Sequence, residues 1–306
     1  MNDRLQLFFD NTDKIHLYFG TDAEKFAKNL ALKCTVRNIR FYYEDYEKVQ
    51  RQIKANTKWY QFIYSNEAIR HAYYVHFAKT PEKIPHALHM YKLITKKFNR
   101  GEQSYLAAKH MTSEQSIEKL DLVMKALKKQ PSLKYSNLSM NICAILTARP
   151  ESPAELATAY ENYYQALVSN GFKRNGETKN SAVLLTIGTG KFCDATFQHL
   201  KTLTQFIKNT EIVVSVNHYT TIALLALAKF EIKQFPALYD VHDEICRHLK
   251  IKKDRSDSLL IATQIYTSNE AIGDLPSYEL DFSDFMYAAV NDHFDAGVSS
   301  DSGGSE

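Results

Sequence analysis

The first eighty residues contain no proline, and the whole chain of 306 residues holds only ten glycines and seven prolines. Average usage would supply about twice that share. Sandwiches, barrels and loop-rich α/β folds need a turn residue roughly every ten positions, so this chain has too little punctuation for them. Long helices tolerate it. With 44% hydrophobic and 24% charged residues, the chain can bury a full core and does not have the composition of a disordered polymer.

The longest apolar runs, such as residues 222–228, fall far short of the roughly 20 residues that a membrane span requires. The opening MNDRLQLFFDNTDKIHLYF is interrupted by Asp10, Asp13 and Lys14 and offers no small-residue cleavage site, so it does not read as a signal peptide. Cys34, Cys143, Cys193 and Cys246 stand singly, with no CxxC or zinc-finger spacing, which suits reduced thiols used as small core residues. The expectation is a soluble protein of the cytoplasm.

Charge is unevenly distributed. From Glu270 to the end there are nine acids and no lysine or arginine, whereas the preceding 269 residues carry 38 bases against 26 acids, a net charge of +12. A basic body is thus joined to an acidic segment. Residues 277–294 combine the acids with Leu280, Phe282, Phe285, Met286, Tyr287 and Val290 at largely helical spacing, the features of a helix covering the end of a stack. Residues 296–306 have nothing to bury and read as a disordered tail.

The clearest helix spans 153–170. Leu156, Tyr160, Tyr163 and Leu167 share one face, Ser152 is placed to cap it with Glu155 closing a capping box, Pro153 fills the first turn and Gly171 supplies the stop. ETKNSAVLLTI follows as a second helix. The same unit of an amphipathic helix followed by one dotted with small residues recurs at 86–98 with 104–111, 116–129 with 136–148, a helix capped by Asp194 with 218–230, and one opened by Pro236 with 256–267. Upstream, 46–64 and 66–78 form an earlier pair, preceded by a helix around AEKFAKNLALK. Ala31, Ala72, Ala108, Ala144, Ala182, Ala223 and Ala262 mark the second helices at intervals of 36 to 41 residues, between tetratricopeptide and HEAT-like periods. Small residues let neighbouring helices approach closely. The predicted architecture is all-α, an irregular α-solenoid of about six antiparallel helix pairs. Its predicted parts are one helical-repeat domain over 1–295 (aromatic-rich 1–80, repeats 81–270, acidic capping helix 271–295) and the tail 296–306.

YENYYQALVSNGFKRNGETKNSAVLL, preceded by ARPESPAEL, and the earlier HALHMYKLITKKFNRGEQSYLAAKHM together resemble an uncharacterised Firmicutes family, domain of unknown function four thousand and three. The similarity runs from about residue 20 to 290 and consists of a helix, then Gly-Phe or Phe with basic residues, then a small-residue helix. The resemblance implies a cytoplasmic, all-helical, tetratricopeptide-like protein and carries no catalytic residue or ligand with it. Lys97-Phe98 stands where the later unit has Gly171-Phe172, so the glycine is not uniform even within this chain.

No catalytic signature emerges. Ile187 to Phe192 looks superficially like a phosphate loop, but Leu185 and Phe192 occupy the positions where the Walker pattern needs Gly and Ser or Thr, so a helix stop explains it. Glu82, His86 and His89 share a helix face with His110 in the partner helix, without the further carboxylates of a metal site. His242 and His248 are split between faces about 240° apart. No catalytic residue, metal or cofactor is expected.

Two features point to binding. Residues 41–77 hold eleven aromatics. Neighbours in a helix lie 100° apart, so pairs such as Tyr42-Tyr43 and Tyr73-Tyr74 cannot all face one core. With Trp59, the surplus is a candidate groove lining. Basic residues also recur at successive turns: Lys96, Lys97 and Arg100; Lys128, Lys129 and Lys134; Lys173 and Arg174; then Arg247, Lys250, Lys252, Lys253 and Arg255. Stacked turns would align them in a ridge, although cations also belong near helix C-termini for dipole reasons. The functional expectation is a scaffold binding a protein or peptide. Nucleic acid or another polyanion on the ridge is the alternative, and an enzyme with an unrecognised site the second alternative.

Overall fold

In a computed structural model, residues 3–134, 138–209, 218–250 and 256–270 are described. Among them there are fifteen α-helices and no strands, so SAVLLTI and IALLALA, the two runs most compatible with a buried strand, are both helical. In chain order the helices are α1 (Asp3–Phe19), α2 (Ala27–Val36), α3 (Tyr43–Asn56), α4 (Phe62–Ser65), α5 (Glu67–Phe77), α6 (Ile84–Lys97), α7 (Glu102–Ala108) and α8 (Glu114–Lys128). They continue with α9 (Met140–Leu146), α10 (Pro153–Ser169), α11 (Gly176–Thr189), α12 (Asp194–Lys208), α13 (Tyr219–Leu227), α14 (Phe235–Leu249) and α15 (Ser256–Glu270).

The helices pack as seven pairs: α1 with α2, α3 with α5, α6 with α7, α8 with α9, α10 with α11, α12 with α13 and α14 with α15. The seventh pair arises because α1 is a helix that the apolar periodicity does not announce. Its inner face carries Asn11, fully buried, whose Nδ2 donates to the Ile39 carbonyl at 2.9 Å and whose Oδ1 accepts from Phe41 N at 2.7 Å. This polar residue interrupts the stripe while stapling the return loop to α1, as buried amides must.

The two members of each pair differ in burial. In α8, α12 and α14 a single stripe is buried, whereas α9 and α13 are buried on every side and α11 is buried almost throughout from Ser181 to Ile187. A helix apolar all round has to be surrounded by others. All seven alanines of the ruler fall in these second helices and all are buried.

The stack does not end open. α15 packs against α13 on one side and against α1 and α2 on the other, the Phe9 and His248 rings stack at 3.9 Å, and His248 Nε2 lies 3.7 Å from Asp13 Oδ1. The first and seventh pairs are therefore neighbours, and the helices form a closed circuit. A capping helix is expected over 271–295. That helix and the tail 296–306 lie outside the described residues.

Local signals place most boundaries. Ser152 and Glu155 form the expected reciprocal capping box, with Pro153 in the first turn. At the end of α10, Gly171 takes φ +89° so that Phe172 N can reach the Leu167 carbonyl at 3.1 Å. Two boundaries differ from expectation. Asp194 is the first residue of α12 rather than its cap, and the cap position belongs to Cys193. α3 stops at Asn56 instead of running on to 64, because Thr57 turns extended and its hydroxyl donates to the Ile53 carbonyl at 2.6 Å. The glycine-containing stretch after Ile187 is the end of α11. Gly190, at φ +72°, sits where any Cβ would overlap Arg149 and Glu151, while Gly188 packs against Leu227 of α13.

Candidate functional site

In an antiparallel pair the turn between the two helices lies at one end, and side-by-side stacking brings successive turns to one edge. Bonds between neighbouring units record this alignment. Asn141 N, at the start of α9, donates to Gln103 Oε1 at the start of α7. At the starts of α11 and α13, the Tyr219 hydroxyl accepts from Lys173 N at 3.2 Å and Thr220 Oγ1 donates to Glu177 Oε2 at 3.0 Å. The second helices thus run parallel, with their electropositive N-termini on the shared edge.

The turns of the third and fifth pairs are built alike. Ser104 Oγ donates to the Asn99 carbonyl and Thr178 Oγ1 to the Lys173 carbonyl, folding each basic loop back over the helix that follows. Lys96, Lys97, Arg100, Lys128, Lys129, Lys134, Lys173, Arg174 and Lys250 are all exposed at the pair-connecting turns. Lys96, Lys97 and Lys128 lie in the last turns of α6 and α8, where the macrodipole alone accounts for a cation. Arg100, Lys134, Lys173 and Arg174 lie beyond any helix end, where it does not. Lys252, Lys253 and Arg255 lie outside the described residues.

The aromatic residues divide. Tyr73 and Tyr74 are wholly buried, contrary to the expectation that adjacent tyrosines leave a surplus at the surface. The reason is that α5 lies between two neighbours. Tyr73 faces α7, donating its hydroxyl to the Tyr105 carbonyl, and Tyr74 faces Phe41 and Tyr46. Burial pushes both phenols well above their ordinary pKa. Tyr42 and Tyr43 are exposed beside the end of α1, with Lys14 Nζ 4.3 Å from the Tyr42 ring centre and the Tyr18 ring stacked on Tyr43 at 5.3 Å. Desolvation and the Glu47 carboxylate, 2.7 Å from its oxygen, raise Tyr18 to about 12.

The most exposed group is Trp59 with Tyr60 and Phe62, at 77%, 64% and 48% relative exposure. It follows the break after α3, is anchored by the buried Ile63, and α4 packs on α7 near the basic turn of the third pair. Trp59 and Tyr60 meet edge to face at 5.8 Å, and Lys58 Nζ lies 5.7 Å from the Tyr60 ring centre. Sequence reasoning singled out Trp59 alone. The signal for its companions was the run Lys58 to Phe62, in which the helical apolar spacing lapses.

Between the third and fourth pairs the edge opens into a cleft of about 280 Å³. Its walls are Phe98, Met124, Leu127, Leu133 and Leu138, and Asp121, Lys125 and Lys128 also line it. Lys125 is paired with Asp121 at 2.7 Å. At the floor, burial pushes the Cys143 thiol up to about 12, which keeps it neutral.

A family model described as Protein of unknown function (DUF4003) matches residues 12–275. The chain belongs to this family. No curated protein and no solved structure matches it. The basic turns from Lys96 to Lys250, the exposed aromatics and the cleft all fall within the matched span of this family member. No described helix is long and apolar enough to cross a membrane, and no group of three His, Cys, Asp or Glu side chains is gathered for a metal among the described residues. His86 and His89 are exposed on α6, while His242 is buried, with Nε2 2.8 Å from Ser258 Oγ across the last pair.

Proposed function

We propose that this protein is a helical scaffold that binds an acidic protein or peptide along the edge formed by its pair-connecting turns. The observation that supports the reading is that exposed cations recur at the pair-connecting turns of four pairs, many of them beyond any helix end, and that side-chain bonds align the starts of the second helices of the third with the fourth pair and of the fifth with the sixth. Lys96, Lys97, Arg100, Lys128, Lys129, Lys173 and Arg174 meet no carboxylate among the described residues. Four separate cysteines, none of them in a disulfide, fit a reducing cytoplasm as the setting.

A second reading is single-stranded nucleic acid. It is favoured by Trp59 and Tyr60, which offer exposed ring faces beside Lys58, because base stacking on aromatics beside cations is how sequence-tolerant binding works.

The test uses labelled poly-glutamate and a labelled single-stranded oligonucleotide on the full chain. Poly-glutamate should bind, with affinity falling steeply as salt rises. Reversing Lys128, Lys129, Lys173 and Arg174 to Glu should abolish binding while the helical circular dichroism is retained. Unchanged affinity after that reversal would leave the helix dipoles as the whole account of these cations. Preference for the oligonucleotide, with loss on Trp59→Ala, would select the second reading.

A further inference from the structure

We infer that the cleft between the third and fourth pairs is an anchor pocket for one large apolar side chain of an acidic peptide segment. This rests on the reading of the basic edge as a partner surface and adds what the partner must carry.

The physical reasons are volume, lining and charge. Sites for whole small molecules start at roughly 300 Å³ and enclose most of their ligand. A cleft of about 280 Å³ that opens on an edge is suited to a single phenylalanine or leucine presented by a longer chain. Phe98, Met124, Leu127, Leu133 and Leu138 give it an apolar wall, and side chains buried in such pockets dominate interface energies.

The surroundings select the flanking residues. Lys128 lines the cleft, Lys129 follows it, and Lys97 precedes the wall residue Phe98. None of these three lysines meets a carboxylate among the described residues, whereas Asp121, the acid that lines the cleft, is already engaged by Lys125 at 2.7 Å. A basic or neutral segment would leave these cations uncompensated or repelled. An aspartate- or glutamate-rich segment with one central apolar residue satisfies both wall and rim. The Lys97-Phe98 pair, which differs from Gly171-Phe172 in the fifth pair, has a local meaning here. At Gly171 the chain turns left-handed and buries Phe172, whereas Phe98 leaves α6 in an extended conformation and faces the cleft.

The experiment compares two labelled peptides by fluorescence anisotropy on the full chain: a short acidic peptide with one central phenylalanine, and its alanine counterpart. The phenylalanine peptide should bind at least about tenfold more tightly, the effect of burying one aromatic side chain. Met124→Trp, which fills the cleft from the half-buried face of α8, should erase that preference and leave the affinity for the alanine peptide unchanged. Charge reversal of Lys128 and Lys129 to Glu should weaken both peptides together. As a measurement free of any variant, the Met124 methyl resonance should shift with the phenylalanine peptide and stay in place with the other. Equal binding of the two peptides to the unaltered chain overturns the pocket while leaving the acidic-partner reading standing. Binding of neither overturns both.

Discussion

Single residues in this protein are governed by how many sides of their helix are covered, and His71 shows the consequence for stability. It is buried in α5 against the Phe26 ring at 4.5 Å, with Nε2 unpaired. Burial, assisted by the neighbouring Lys33 and Arg70 charges, lowers its pKa from 6.5 to about 3. The folded state therefore holds His71 neutral where the unfolded chain already binds a proton, so stability rises with pH between about 3 and 6.5 and is lost on acidification through that window. This one group should contribute a slope of about 1.4 kcal/mol per pH unit. Urea melts of the native chain and His71→Phe, taken at intervals from pH 6.5 down to about 5, should diverge by that slope, and parallel acid limbs would show that the ring gains a proton without unfolding. The same coverage explains why Tyr73 and Tyr74 were illegible as core. Sequence gives their 100° separation correctly, but only the packing of α5 between α3 and α7 reveals that both directions face protein.

At the scale of elements, what could be read in advance was whatever is encoded locally. The capping box of α10 follows from Ser152, Pro153 and Glu155 alone, and the small-residue helices follow from alanines that must be close to a neighbour. The start of α12 and the end of α3 were displaced by one residue and by most of a turn-containing segment because Cys193 and Thr57 have no strong signature as boundaries. α1 was missed because Asn11 sits on its buried face, satisfied by residues 39 and 41, a partnership invisible from within the helix. The contact between the α9–α10 connection and the end of α11 offers the sharpest test of an element boundary. Arg149 makes two hydrogen bonds to Glu151, at 2.7 and 3.0 Å, Lys119 donates to the Arg149 carbonyl, and Gly190 closes over the pair. Gly190→Ala would force a left-handed Cβ into those two side chains. Its expected cost is about 2–4 kcal/mol, from backbone strain together with the displaced ion pair. Gly188→Ala presses on the Cδ and Cγ atoms of buried Leu227 but needs no positive φ and displaces no ion pair, so it should cost less. Denaturation midpoints for the two variants check the order, and a reversed order would mean that the ion pair swings aside freely.

For the whole molecule the decisive feature is closure, because it changes which pairs are neighbours. In an open row of helix pairs, stability is a sum of units and nearest-neighbour interfaces, so a lesion at one end is felt only by the units beside it. Here α15 meets α1 and α2, and the Phe9 ring stacks on His248, so residues nearly 240 apart in sequence share an interface. No local pattern could announce that contact, so the irregular α-solenoid of about six pairs read from the sequence carried no statement of how its ends meet. The two topologies differ in one measurable respect. Phe9 is buried, and Phe9→Ala should remove about 3–5 kcal/mol of packing. In an open row, hydrogen exchange would accelerate in α1, α2 and their sequence neighbours α3 and α5, leaving α14 and α15 protected. In the closed circuit, α14 and α15 lose protection together with α1, while the fourth and fifth pairs, α8 to α11 on the far side of the circuit, change least. Exchange mass spectrometry on peptides from 235–249 and 256–270 separates the two outcomes. Undisturbed protection there in a variant whose α1 has loosened would mean that the first and seventh pairs touch without supporting one another. Coupled loss also bears on the basic turns, since Lys250 after α14 keeps a fixed place relative to the first pair only if the circuit holds.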